Sequence, residues 1–172
     1  MRGVMIAAAG LLAGSVAFAA TVKPVVVNMN DASGTNVGTV TFTQHGKTVD
    51  VRVILMGLPA GQHGLHVHAG SACTPPDFTS AMGHLNPDAK HHGFENPDGH
   101  HAGDFPNSVE IKADGKGTAE LHSTDLSLDA ASATSVYGKT VVIHELADDQ
   151  KTDPAGASGK RIACGVIPAA AM

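Results

Sequence analysis

Apolar and polar positions alternate most clearly in residues 48–58, where Val49-Asp50-Val51-Arg52-Val53 leads into Ile54-Leu55. That is the period of a strand with one face buried. The Val-rich stretches 25–27, 39–43 and 140–143 also favour strands. Pro59-Ala60-Gly61 turns the chain into a further one, Gly64-Leu65-His66-Val67-His68. Gly and Pro, 20 and 9 in 172 residues, break the chain too often for long helices. No heptad, repeat or low-complexity linker marks a second domain. The pattern predicts an all-β Greek-key β-barrel or sandwich with long loops, one domain over residues 20–172. With aromatics at 3%, its core must be built from Val, Ile, Leu and Ala.

The one long apolar run without alternation lies at the amino terminus. Arg2 precedes an Ala-rich stretch that ends Ala17-Phe18-Ala19, an A-x-A cleavage pattern. Residues 1–19 are therefore expected to be a removed signal peptide. The run barely reaches the ~20 residues that span a bilayer and no second one follows, so the mature form is expected to carry no membrane segment. Export places the protein in a compartment that permits disulfides.

The formal charge of −5 becomes −6 once Arg2, the only charged residue of the leader, is removed. A net negative surface of mixed sign argues against nucleic acid as a partner. Cys73 and Cys164 are the only cysteines. In an exported chain they read first as one disulfide closing a long loop, a crosslink that chain entropy values at about 4 to 5 kcal/mol. The alternative, thiolate metal ligands, lacks any C-x-x-C spacing.

Candidate chemistry comes from the eleven histidines. His66 and His68 project from one face of their strand, a geometry suited to chelation. Between the cysteines, residues 83–87 and 90–104 are mostly Gly, Pro, Asn, Asp and His, which cannot make a regular element. A loop of that length inside a compact domain is usually functional or disordered, and a bound metal would order it. Imidazoles with a carboxylate suit tetrahedral Zn²⁺; a nonspecific His-rich metal sponge is the alternative. His144 ends an apolar strand, and Arg161 stands three residues before Cys164, where a disulfide could hold its guanidinium as an anion-binding group.

Five blocks then resemble the copper/zinc superoxide dismutases, in particular their bacterial exported branch. They are Gly64-Leu65-His66-Val67-His68, Gly83-His84-Leu85-Asn86-Pro87, His101-Ala102-Gly103-Asp104, the V-I-H-E-L-A-D-D block of residues 142–149, and the closing R-I-A-C-G-V-I of residues 161–167. The resemblance covers nearly the whole mature chain. It implies copper held by His66, His68, His84 and His144, and zinc held by His84, His92, His101 and Asp104, one ion of each per chain with His84 between them. His92 is preferred to His91 because it precedes Gly93 and stands nine residues before His101. Asp148 matches the carboxylate that orients His66 and His92, while Asp149 is expected to be exposed.

The implied activity is disproportionation of superoxide to dioxygen and hydrogen peroxide in the periplasm. Arg161 would hold the anion and His84 would carry a proton. The protein would act as a monomer or homodimer, with superoxide as its small anionic substrate. His91 and His100 are expected to be spectators, His63 a structural position, and His45 and His122 match no motif. Leu65 replaces an aromatic and Met82 a small residue, changes expected to repack the core. The loop 149–161 is short for steering an anion, with Lys151 and Lys160 as candidates. The alternative function is a non-catalytic periplasmic copper/zinc-binding or copper-carrier protein, which should lack a copper ligand or the arginine.

Overall fold

A computed structural model describes residues 23–171; the expected leader, residues 1–19, lies outside them. Nine antiparallel strands make one sheet: β1 (Val25–Asp31), β2 (Asn36–His45), β3 (Thr48–Met56), β4 (Gly61–His63), β5 (Leu65–His68), β6 (Val109–Ile111), β7 (Lys116–Ser123), β8 (Thr140–His144) and β9 (Arg161–Val166). Their order is β4-β6-β7-β3-β2-β1-β9-β8-β5. The two outermost strands, β4 and β5, are consecutive in the chain with only Gly64 between them. The sheet therefore rolls into a nearly closed barrel. Crossings from β3 to β4 and from β7 to β8 make the topology Greek-key.

Alternation sets the inside of the barrel. Val49, Val51, Val53 and Leu55 of β3 are buried, while Asp50, Arg52 and Ile54 face outward; Val25, Val27 and Met29 of β1 are buried likewise. Val and Leu dominate the core, joined by Ile111, Ile143 and Ile167 and by Phe42 and Phe105. Leu65 belongs to it, packed in the core as expected.

The β5–β8 wall departs from alternation, because both strands are buried at every position. Their inner residues, Leu65, Val67, Val141 and Ile143, join the core. Their outer residues are His66, His68, Val142 and His144, covered by loops. Val142 packs with Phe78, Ala81 and Cys164 in a separate small cluster against Cys73. The disulfide Cys73–Cys164, with Cα atoms 5.7 Å apart, fastens the loop after β5 to β9.

Backbone hydrogen bonds lay the histidine-rich loop on β5. Val67 N–H donates to Gly103 O (2.9 Å), Leu85 N–H to Val67 O (2.8 Å), Gly103 N–H to Leu85 O (2.9 Å) and Ala69 N–H to Gly83 O (2.8 Å). Gly103 allows this approach, since a Cβ there would lie 2.1 Å from Val67 O.

Candidate metal centre

Strand β5 presents His66 and His68 to the covered outer face, the end of β8 adds His144, and the loop on β5 adds His84, His92, His101 and Asp104. All seven side chains are buried. Two sets of donor atoms already converge to within 4.8 Å: His66, His68, His84 and His144, and His66, His84, His92 and Asp104. The expected ligand His101 is not in the second set but borders it, its Nδ1 lying 3.3 Å from both His84 Nδ1 and Asp104 Oδ1. His66 and His84 belong to both sets.

Outer partners decide which nitrogen of each ring faces the centre. His66 Nε2–H donates to Asp148 Oδ2 (2.8 Å) and His92 Nε2–H to Asp148 Oδ1 (3.0 Å). One carboxylate thus orients a histidine of each set. His68 Nδ1–H donates to Met82 O (2.9 Å), leaving Nε2 to face His144 Nε2 at 3.3 Å. Gly156, at φ +63°, sits over the Asp148–His92 contact, where a Cβ would come within 2.0 Å of Asp148 Oδ1. His66 Nδ1, His84 Nε2 and His92 Nδ1 are buried without a well-aligned hydrogen bond, His92 Nδ1 having Asp104 Oδ2 beside it at 3.2 Å. Buried orphan nitrogens are costly in a folded protein, and three in one centre, beside a carboxylate, fit a metal-binding role. The donor set of imidazoles plus one carboxylate suits zinc and copper.

Burial holds the His84 imidazole down to about 3, with neighbouring His66 adding to the effect. Burial likewise puts His144 at about 3 and lowers His66 and His68. His92 is different: burial lowers it, but the carboxylates of Asp104 and Asp148 outweigh that and raise it to about 9. Burial pushes Asp104 and Asp148 up, but hydrogen bonds from histidines and backbone N–H groups hold both well below the usual carboxylate range. The His66, His68, His84 and His144 set is thus neutral and ready to donate. His92 must release a proton to ligate.

Arg161 lies beside this centre, in a cleft of about 250 Å³ lined with His68, His84 and His144. Its Nη1 donates to Phe78 O (2.6 Å) and its Nη2 to Met82 O (2.5 Å). Both carbonyls belong to the segment that the disulfide ties to β9. Met82 is 61% exposed and has φ +63°, so it does not repack the core as expected; its backbone carbonyl serves Arg161 and His68 together.

The remaining expected residues fall outside the centre. His63 is buried, with its ring nitrogens bonded to His144 O and Pro59 O, pinning β4 to the end of β8. His91 donates to Asp153, and His100 stacks on Phe94 and bonds Asp125. Exposed Asp149 caps a turn at Thr152. Lys151 is paired with Glu95 at 2.5 Å, so little net charge remains at that position, while the other candidate, Lys160, is exposed. Sequence reasoning missed the Phe78 and Met82 carbonyls, because a backbone acceptor has no residue-type signature. It also missed Asp153, which accepts the His92 N–H (2.6 Å); its only signal is the Asp-Pro turn pair.

Residues 36–167 match the family model described as copper/zinc superoxide dismutase (SODC). The chain is 38% identical over 169 residues to "Superoxide dismutase [Cu-Zn] 2" of Aquifex aeolicus, covering 92% of this chain and 96% of that protein. It is 46% identical over 112 residues to "Superoxide dismutase-like protein YojM" of Bacillus subtilis, 63% of this chain and 57% of the relative. Among solved structures it resembles the Cu/Zn superoxide dismutase from Brucella abortus, with a TM-score of 0.72 at 30% identity over 84% of this chain and 99% of that one.

Proposed function

Because the chain belongs to the copper/zinc superoxide dismutase family, we propose that it converts two superoxide ions and two protons into dioxygen and hydrogen peroxide. The supporting observation is the pair of donor sets that share His66 and His84, with Arg161 in the adjoining cleft. Copper would be held by His66, His68, His84 and His144, and zinc by His84, His92, His101 and Asp104. When bound, copper supplies one-electron redox chemistry and zinc a fixed, redox-silent charge.

Arg161 binds the anion. Its hydrogen-bond acceptors are neutral carbonyls, with Asp77 the carboxylate whose charge reaches it, and the disulfide-tied segment holds the guanidinium at one place. His84 Nε2, buried with no partner in the protein, is the atom at which this residue would either face copper or, when not ligating, carry a proton to the product anion. Asp148 keeps His66 and His92 in one tautomer, so the two halves share an orientation. Removal of residues 1–19 would deliver the mature chain to the periplasm, where a disulfide persists.

The likeness to a protein named superoxide dismutase-like supports a second reading, a non-catalytic copper/zinc-binding or copper-carrier protein. Metal content and superoxide consumption, measured on one preparation, separate the two. One copper and one zinc per chain with rapid turnover is expected. Arg161→Ala should retain both ions and lose about 10- to 1,000-fold in turnover at low superoxide. Full metal content without turnover selects the second reading.

A further inference from the structure

His45 and His122 match no motif, yet they meet at one carboxylate on the outside of the barrel. Strands β7, β3 and β2 are neighbours, separated from β8 and β5 by β1 and β9 on one side and by β6 and β4 on the other. Their wall is remote from the metal centre. Asp50 lies directly across from His122, and His45 lies across from Thr48, two residues before Asp50 on the same face. His45 is therefore the diagonal neighbour of Asp50. His122 Nδ1–H donates to Asp50 Oδ1 (2.7 Å), and His45 Nε2 stands 3.5 Å from Asp50 Oδ2. Each carboxylate oxygen faces one imidazole.

From this placement we propose that His45, Asp50 and His122 form a further, exchangeable site for a divalent transition-metal ion, Cu²⁺ in preference to Zn²⁺. Two imidazoles and a carboxylate are borderline donors that bind both ions, and the order of affinities for such donors favours Cu²⁺. Three adjacent strands in fixed register hold the three Cα positions, so binding orders only side chains. Both imidazoles are about two-thirds exposed, at 65% and 66%. As they stand, the three donors are not drawn together as tightly as the central sets. Exposed rings can close on an ion by moving between staggered rotamers, without displacing any core residue. The remaining coordination positions face solvent and take water, so the ion exchanges freely where the enclosed central ions do not. Next along the same two strands, Arg52 pairs with Glu120 (3.4 Å), so the adjacent cation is already matched by its own carboxylate.

The test uses the full protein, loaded with copper and zinc and freed of loosely held ions, titrated with Cu²⁺ by calorimetry and by electron paramagnetic resonance. One additional equivalent, with a spectrum distinct from that of the central copper, is expected. The double variant His45→Gln/His122→Gln should not take up that equivalent. Asp50→Asn should weaken uptake by at least about tenfold, the lower bound for losing even a supporting partner of a ligand. The central metal content should stay constant throughout, because all three residues are on the opposite wall. No extra ion in the wild type, or an extra ion that the double variant binds equally well, overturns the proposal. Neither outcome bears on superoxide turnover, so this site and the proposed activity stand or fall separately.

Discussion

The two halves of the metal centre are built by opposite means. His66, His68 and His144 stand on strands whose other faces pack the barrel core, so the core fixes their backbones. His92, His101 and Asp104 stand on irregular chain between β5 and β6, and hydrogen bonding does the same work there. Asp104 Oδ2 accepts the N–H groups of Gly93 (3.0 Å) and His101 (3.1 Å), while Asp153 accepts that of His92. The first half is positioned by burial of apolar surface, the second by carboxylates acting as surrogate secondary structure. A strand-built site is preformed; a loop-built site depends on each polar contact within it.

Asp104→Ala should break the loop half with the largest effect. It removes a metal donor and strands two buried N–H groups, costing the metal-free protein about 3 kcal/mol. Hydrogen exchange should quicken across residues 86–104 and at Val67, whose N–H is held by Gly103 O, while amides of β8 stay protected. Equal loss of protection in β8 would mean that the halves are not separately built. Asp148→Asn probes their connection. A carboxamide accepts through one oxygen only, so it cannot receive both His66 and His92, and affinity for copper and zinc should each fall about 10- to 100-fold. Competition titration with a chelator reads this directly, and a fall in only one ion's affinity would show that the other half needs no shared carboxylate.

The smallest effect distinguishes the halves by pH in the metal-free protein. His84 and His144 titrate at about 3 when folded against 6.5 when unfolded. Between those values the unfolded chain binds more protons, so stability falls as pH drops from about 6.5 toward 3. His92, raised to about 9, has the reverse sign. Its contribution is complete below 6.5 and is lost as pH rises through 9. Asp104 and Asp148 lose their contribution only below about pH 4. A melting-temperature profile should therefore fall on both sides of a neutral maximum, and His92→Gln should flatten the alkaline limb alone.

The same contrast explains what could be read from the residues. The strands with strong Val content, and the His66–His68 pair on one of them, were legible because period and residue type coincide. β7 was not, since Gly117 and Ala119 are poor strand formers; its eight-residue register with β3 holds it in place. In the loop half, resemblance to known motifs pointed to His92, His101 and Asp104, but no periodicity could. The acceptors that aim Arg161 were hidden altogether, because Phe78 and Met82 contribute through their backbones. Lys151 looked free until folding placed Glu95 against it.

The hydrogen bonds from residues 83–85 and 103 to β5 have a consequence for solubility. β5 is a terminal strand of the sheet, and its outward backbone groups are a template on which another chain could pair. The segment that carries His84 and ends at Asp104 occupies that template. Whatever keeps this segment in place, including ions at the proposed centre, therefore also guards against self-association along the seam of the barrel. A variant with a loosened loop is exposed to clumping before it is exposed to unfolding.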